Sequence, residues 1–284
     1  MILYEDRDII VCHKMAGVAV QSARIGEKDL MSMLNNHLME QAGGRRPEPV
    51  RVVHRLDQPV EGIVVFAKNK KAAASLSAQI TDGSMKKVYL AVCCVTEAGR
   101  HWMEKTERLQ KEPDGSAGKS DQEREPAIKM HTLLDYLAKD ARTNASAVVK
   151  KGQKDAKEAR LSFGLVACEN TGSANPVKGA EPDCLQYALA EIHLDTGRHH
   201  QIRVQMAHAG LPLFGDRKYN PEWERYAKVW QEQMTNASAE LALCATKLTF
   251  RHPTSGKQMH FQVAPKKKIF QMFPAAEVRE IIWL

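Results

Sequence analysis

The sequence predicts an α+β protein in which helices flank a mixed, largely antiparallel central sheet. Two observations indicate this class. Short apolar runs typical of buried strands recur along the chain, while only a few segments repeat apolar residues at helical spacing. The strands also come in groups with few helices between them, and this order favours an antiparallel or mixed sheet over a doubly wound parallel one.

The individual elements follow from local patterns. Strands are predicted at 9–12, 62–68, 87–95, 161–167, 187–194, 245–250 and 258–263. The first helix carries three leucines at helical spacing, Leu30, Leu34 and Leu38, and ends at Gly43. Asn69 is a suitable cap for a second helix, which ends near Gly83.

Three polar stretches connect these elements. Residues 99–126 are rich in charged residues, Gly and Ser, and predict a solvent-exposed inserted arm. Residues 171–183 contain Gly, Asn and Pro and predict a loop between strands. The most basic local run, Lys150–Arg160, fits a solvated hairpin and an RNA-facing patch equally well.

Composition restricts the possible partners and compartments. A chain of 284 residues with 43% hydrophobic residues can bury a sizeable core as one large domain or as two closely joined halves, and we predict a single domain at 1–284. A net charge of +7 suits a polyanionic partner, because Lys and Arg neutralise phosphates. The six cysteines show no CxxC pair or zinc-site spacing.

The sequence also predicts a cytoplasmic protein without a membrane anchor. Acidic residues stand near the N-terminus, where a signal peptide would need a basic segment and then an apolar one. No uninterrupted apolar stretch is long enough to cross a bilayer.

One carboxylate stands out for its surroundings. Asp57 ends the run Val53-His54-Arg55-Leu56-Asp57 and is followed by Pro59, Gly62 and an apolar strand. It therefore lies where the backbone leaves regular structure and side chains can reach a ligand. A carboxylate close to guanidinium groups stays ionised, and it can act as a nucleophile or base.

A second segment makes this pattern specific. It is Asp195-Thr196-Gly197-Arg198-His199-His200-Gln201-Ile202-Arg203-Val204-Gln205-Met206-Ala207-His208-Ala209-Gly210. Together the two segments resemble signature blocks of the RluA-type pseudouridine synthases, which isomerise uridine to pseudouridine in ribosomal or transfer RNA. Segments 2–17, 87–92 and 243–253 match further blocks of that family in the right order.

The resemblance implies a catalytic set and an RNA cleft across the sheet. Asp57 matches the family's nucleophilic aspartate, and Arg203 matches the basic residue that pairs with it. Tyr89 matches the aromatic residue at the flipped uracil, where a phenol can stack and exchange protons. Because the family's reaction is an isomerisation, we expect no metal, nucleotide or redox cofactor.

Further residues are implied to contact RNA. Arg55 matches the residue that fills the gap left by the flipped base, and Leu248 matches an apolar position near that base. His54, Arg198 and Gln201 are expected to contact RNA or the base. The match begins at Ile2, so we expect no separate N-terminal RNA-binding module. We further expect a monomer with RNA as its partner and without a protein partner.

The chain departs from the family pattern next to Asp57. The family usually continues with a polar residue and a Thr-Ser-Gly run, but this chain reads Gln58-Pro59-Val60-Glu61-Gly62. If Glu61 points into the pocket, it would repel Asp57 and compete for Arg203. If it points to solvent, it changes nothing. His199, Gln205 and Cys244 replace a Thr and two His that are common in the family.

Other functions remain open at this point. The substitutions after Asp57 are compatible with an RNA-binding member that has lost catalysis, although Asp57, Tyr89 and Arg203 favour an active enzyme. A zinc hydrolase built on His199, His200 and His208 is disfavoured, because adjacent residues point to different helix faces and no HExxH motif occurs. A DNA-binding protein would need a partner helix for segment 199–209, and none is recognisable.

Overall fold

The computed structural model describes residues 1–22, 26–43, 47–108, 128–171, 185–233, 238–274 and 281–283. The backbone groups into two compact units. Unit 1 comprises residues 1–91, 192–196 and 240–284, and unit 2 comprises residues 92–191 and 197–239. Asp57 and Tyr89 belong to unit 1, whereas Arg203 belongs to unit 2. The expectation of a single domain over 1–284 stays a prediction.

The elements alternate between strands and a smaller number of helices. The strands are β1 (Ile2–Glu5), β2 (Ile9–Lys14), β3 (Arg51–Val52), β4 (Glu61–Ala67), β5 (Lys86–Cys94), β6 (His131–Asp140), β7 (Ala145–Val149), β8 (Lys157–Thr171), β9 (Leu185–Leu194), β10 (Leu243–Arg251), β11 (Gln258–Gln262) and β12 (Ile281–Trp283). The helices are α1 (Leu30–Gln41), α2 (Lys70–Thr81), α3 (Glu97–Arg108), α4 (Gln201–His208) and α5 (Trp223–Gln233), and a short 3-10 helix covers Lys268–Met272.

In unit 1 the strands follow the order β1-β2-β4-β10-β5. Each neighbouring pair is antiparallel except β4 and β10, which run parallel. β11 pairs with β10, and β12 pairs with β11, both antiparallel. β2 and β4 are buried throughout, which explains why their sequences are continuous apolar runs rather than alternating ones. The predicted α+β class with a mixed, largely antiparallel sheet is confirmed.

Side-chain caps define where the two helices of unit 1 begin. The Asp29 carboxylate accepts a hydrogen bond from the Ser32 N–H at 2.7 Å, and the predicted cap Asn69 accepts one from the Ala72 N–H at 2.9 Å. The amide of Gln79 fixes α2 to the sheet, because it donates to the Arg251 carbonyl and accepts from the Arg251 N–H. Both helices therefore lie where the sequence predicts them.

In unit 2 the strand order is β9-β8-β6-β7. β6 pairs antiparallel with both β7 and β8, and Leu137, Ala159 and Val204 form a buried cluster that joins these strands to α4. The sequence analysis missed β6 and β7. Their exposed positions alternate irregularly with buried ones, as in Leu134, which is 52% exposed. Such strands lack the period-2 pattern on which the prediction depends.

The polar stretches have different outcomes. α3 covers the start of the predicted 99–126 arm. The remainder of the arm, from residue 109, lies outside the described residues. Of the predicted loop at 171–183, only Thr171 is described, as the end of β8. The basic run forms a turn at Lys150–Ala156 and then enters β8. Because β8 pairs with β6 and not with β7, the run is a turn rather than a hairpin, and its contact with RNA stays a prediction. Within the described residues, no helix is long and apolar enough to cross a membrane.

Candidate active site

The loop that carries Asp57 connects β3 to β4 in unit 1. Asp57 is half-buried, and its carbonyl accepts a hydrogen bond from the Val60 N–H at 3.0 Å, which closes a tight turn. Gln58 makes two hydrogen bonds to Gly17, which lies in a second turn. Its carbonyl accepts from the Gly17 N–H at 2.9 Å, and its side-chain amide donates to the Gly17 carbonyl at 3.0 Å. The sequence places Asp57 at a loop, and these contacts make that loop rigid.

Lys14 supports the same loop from the end of β2. Its ammonium is almost completely buried and donates to the carbonyls of Met15, Val18 and Gln58 at 3.1, 2.7 and 3.1 Å. Burial lowers the pKa of Lys14 to about 8, and the Asp57 and Glu61 carboxylates oppose this shift. Lys14 is therefore still charged at neutral pH. It provides a buried positive charge near Asp57 that the sequence analysis did not identify.

The second residue of β4 is a glycine, and no other residue fits at this position. Gly62 has φ +131°, and a Cβ at this position would lie 2.4 Å from the Ala245 carbonyl oxygen. Gly62 therefore permits the close parallel approach of β4 and β10, where it pairs with Ala245. This approach brings the end of the Asp57 loop next to β10.

Tyr89 lies in β5, opposite Ala245 of β10. Burial raises the pKa of Tyr89 strongly, and the Asp57 carboxylate raises it further. The Asp57 carboxylate thus acts electrostatically on the Tyr89 hydroxyl, and a shared catalytic role of the two residues stays a prediction. Leu248, the predicted apolar neighbour of the base, is buried and pairs with Lys87 two residues before Tyr89 in β5. The register shifts between Ala245 and Lys247, and such irregularities commonly re-aim side chains beside active sites.

The two basic residues of the Asp57 segment have different environments. Arg55 is exposed and can reach a large ligand. The His54 ring instead accepts a hydrogen bond from the Val65 N–H at 3.1 Å through Nε2. Burial, aided by the Lys87 charge, lowers the pKa of His54 to about 3, so the ring is neutral at physiological pH. His54 thus holds the Asp57 segment to β4, and its predicted contact with RNA stays a prediction.

Glu61 points neither to solvent nor freely into a pocket. It is 1% exposed, and its carboxylate accepts a hydrogen bond from the Lys266 N–H at 3.0 Å. Burial raises the pKa of Glu61, while the Lys267 charge opposes the rise. The departure from the family pattern therefore introduces a buried acid with its own partners.

Arg203 is the centre of a polar cluster in unit 2. Its Nε and Nη2 atoms each donate to one carboxylate oxygen of Asp216 at 2.7 Å, and the guanidinium lies 5.0 Å from the centre of the Tyr219 ring. Arg203 is buried at this position of α4. Asp57 and Arg203 belong to different units, so their pairing stays a prediction. Asp216 lies six residues beyond the end of the quoted segment, and the sequence analysis assigned it no role.

His200 and Tyr219 complete this cluster. His200 precedes α4 in a left-handed conformation with φ +53°, and its Nδ1 lies 2.7 Å from the Tyr219 hydroxyl. That hydroxyl also accepts from the Ser146 N–H at 2.9 Å. Burial and the nearby Arg203 charge lower the pKa of His200 to about 3, so it remains neutral. A left-handed histidine is uncommon and marks a backbone that the surrounding structure holds in place.

Gln201 and Arg198, which were both expected to contact RNA or the base, lie in different environments. The Gln201 amide is buried, donates to the Arg160 carbonyl at 3.0 Å and accepts from the Arg198 N–H at 2.9 Å. Gln201 therefore positions Arg198, and its predicted contact with RNA or the base stays a prediction. Arg198 is exposed, and its Nε donates to the Glu158 carbonyl at 2.8 Å.

Arg198 lines a cavity of about 390 Å³ in unit 2. The charged and polar groups around it are mostly basic: Lys139, Lys157, Arg198, His199, Ser146 and Asp155. His199 is held there by a contact of 2.9 Å between its Nδ1 and the Ser146 hydroxyl. Within the described residues, no cluster of three or more acidic, Cys or His residues could hold a metal ion.

One unit thus carries Asp57 and the buried Tyr89, and the other carries the Arg203–Asp216 ion pair and a basic cavity. Residues 8–208 match the model of the RNA pseudouridylate synthase family. Because this match covers more than half of the chain, the chain belongs to that family, and it is an isomerase of the RluA type.

Individual relatives agree with this family. The chain is 29% identical to ribosomal large subunit pseudouridine synthase D of Zymomonas mobilis over 268 residues, covering 92% of this chain and 67% of that protein. It is 24% identical to tRNA pseudouridine synthase C of Vibrio parahaemolyticus, covering 97% and 94%. The structure of human RNA pseudouridylate synthase domain containing 4 matches with a TM-score of 0.61 at 18% identity, covering 95% and 90%, which supports the fold.

Proposed function

We propose that this chain converts uridine to pseudouridine in ribosomal or transfer RNA, with Asp57 as the essential carboxylate. The observation that carries the proposal is the placement of Asp57 on a hydrogen-bonded loop of unit 1, where its charge acts on buried Tyr89. Ribosomal and transfer RNA are the substrates named for the relatives in Zymomonas mobilis and Vibrio parahaemolyticus. No membrane and no cofactor enter the proposal, and we place the reaction in the cytoplasm.

The reaction is an isomerisation that needs no outside reagent. The bond between C1′ and N1 breaks, the uracil turns within the site, and a new bond forms between C1′ and C5. The proton leaves C5, and N1 gains one, so atoms and electrons balance. In our proposal Asp57 attacks or deprotonates the nucleoside as the glycosidic bond breaks. The rigid turn around Asp57 keeps the carboxylate in place during this step.

Tyr89 and Leu248 are proposed to hold the extruded uracil. Extrusion of a base from its stack costs a few kcal/mol, and a snug pocket with an aromatic face compensates for this cost. The raised pKa keeps Tyr89 a neutral phenol at physiological pH. This favours stacking and hydrogen bonding over the role of a strong base. Leu248 of β10 provides an apolar wall, because it pairs with Lys87, which precedes Tyr89 by two residues in β5.

Arg203 is proposed to orient the reacting groups from unit 2. A guanidinium held at two atoms by Asp216 and placed over Tyr219 has one preferred direction. Arg55 is proposed to enter the gap that the flipped base leaves in the RNA, and Arg198 with the basic cavity is proposed to contact phosphates.

The decisive experiment compares the wild type with Asp57→Asn, which is nearly isosteric but cannot act as a nucleophile. Tritium release from C5-labelled uridine is measured on ribosomal and transfer RNA from cells lacking the protein. We expect release by the wild type from one RNA fraction and none by the variant. RNA binding without release by the wild type would instead support a non-catalytic RNA-binding protein.

A further inference from the structure

Lys267 joins the Asp57 loop to the strand beside it. Its ammonium donates to the Pro59 carbonyl at 2.9 Å and also to the Leu241 carbonyl, just before β10. Burial lowers the pKa of Lys267, and the Glu61 carboxylate is the largest influence opposing that change. Lys267 is thus a half-buried cation whose donors reach two separate backbone segments of unit 1.

Glu61 supplies the opposite charge. Its carboxylate is buried and accepts from the N–H of Lys266, the residue before Lys267. The Lys267 ammonium also disfavours the charge of the Lys14 ammonium. Buried charges need compensation of this kind, because desolvation would otherwise neutralise them. Glu61 stands near both lysines and offsets their repulsion.

The consequence falls on the backbone that follows Asp57. Three consecutive carbonyls accept hydrogen bonds: Asp57 from the Val60 N–H, Gln58 from Lys14 and the Gly17 N–H, and Pro59 from Lys267. Two of these four donors are charged, and hydrogen bonds from charged donors are roughly twice as strong as neutral ones. The loop cannot shift without breaking at least one of them.

We propose that Lys267, with Glu61 as its counter-charge, is a positioning residue that fixes the Asp57 loop through the Pro59 carbonyl. In this chain the pair takes the place of the hydroxyls that the family usually has after its aspartate, where Val60 and Glu61 now stand. The inference rests on the proposed role of Asp57 in catalysis.

The first test separates turnover from binding. Lys267→Met removes both hydrogen bonds, and we expect kcat to fall by about 10- to 100-fold with KM for RNA unchanged, the loss typical of a slightly misplaced catalytic group. Lys267→Arg keeps the charge and N–H donors and should retain more activity than Lys267→Met. Glu61→Gln should also lower kcat. Lys268→Met is the matched control, because Lys268 is exposed and one residue away.

The second test does not depend on activity. Hydrogen–deuterium exchange at the amides of residues 57–62 should be faster in Lys267→Met than in the wild type, and unchanged in Lys268→Met. If Lys267→Met does not fold, Glu61→Gln removes the counter-charge of Lys267 and should show the faster exchange, whereas Lys267→Arg should stay close to the wild type.

The two readouts distinguish the possible failures. Wild-type kcat or wild-type exchange in Lys267→Met would each overturn the positioning role. An inactive wild type whose loop exchanges faster in Lys267→Met would refute the proposed function while retaining the structural link between Lys267 and the loop.

Discussion

Arg203 and Asp216 form a buried ion pair in which two guanidinium nitrogens each contact a different carboxylate oxygen at 2.7 Å. The carboxylate also accepts from the N–H groups of Lys218 and Tyr219 at 3.0 and 3.2 Å. Asp216 therefore anchors the turn after α4 and the arginine on α4 at the same time. The proposed orienting role of Arg203 depends on the Asp216 carboxylate.

Replacing Asp216 should damage both stability and turnover. Asp216→Ala leaves a buried guanidinium without its partner, and we expect the free energy of unfolding to fall by about 3 to 5 kcal/mol. Urea unfolding measures this loss. Asp140→Ala is the control, because its pair with Arg142 is exposed and 3.9 Å long, and such pairs contribute about 1 kcal/mol or less. Equal losses in the two variants would contradict a structural role for the buried pair.

Tyr89→Phe tests the phenol separately from the ring. The variant keeps the aromatic face in β5 but removes the hydroxyl. We expect kcat to fall by about 100-fold, the lower range for loss of a proton-transferring or hydrogen-bonding group, with little change in KM. Single-turnover tritium release checks this outcome, and a melting curve checks the fold. Wild-type kcat in Tyr89→Phe would restrict Tyr89 to stacking.

The basic cavity of unit 2 should control RNA affinity through phosphate contacts. Lys139→Gln with Lys157→Gln removes two of its charges, and we expect weaker RNA binding with a salt dependence reduced by about 1 to 2 in log–log slope. Filter binding at several salt concentrations measures the slope. The matched control is Lys151→Gln with Lys154→Gln, which removes the same charge from the neighbouring turn. Identical slopes in the two double variants would argue against the cavity as a phosphate site.

His13 makes folding sensitive to acid. It is almost fully buried in β2, and neither ring nitrogen has a hydrogen-bond partner among the described residues. Burial lowers its pKa from 6.5 to about 4. Between these values the unfolded chain binds a proton at His13 that the folded protein does not bind. Stability is therefore lost as the pH falls from 6.5 towards 4.

His13→Leu removes this dependence. We expect a gain of about 1 kcal/mol or more at pH 8, because two unpaired polar atoms disappear. The gain should be larger at pH 5, because protonation of His13 in the unfolded wild type then lowers the stability of the wild type further. Urea unfolding at the two pH values measures both, and exposed His101→Leu serves as the control. A variant less stable than the wild type at both pH values would mean that the ring has an unrecognised partner.

The local patterns of the sequence predicted those elements whose signals are contained in a few neighbouring residues. The Asn69 cap, the leucine spacing of α1 and the apolar runs of β2 and β4 each depend on short-range sterics and on burial, and each was confirmed. β6 and β7 were missed because their half-exposed hairpin lacks a clear alternation of apolar and polar residues. The resemblance to the family identified Asp57, Tyr89 and Arg203 because they lie within contiguous motifs.

Only the tertiary structure decided what holds those residues in place. Lys14, Glu61 and Lys267 are far apart in sequence, yet their charges meet behind the Asp57 loop. Asp216 likewise becomes the partner of Arg203 only when the chain turns back after α4. A sequence shows which residues carry charge, but the energy of a charge depends on its burial and on its distance from other charges. Both quantities exist only in the folded protein.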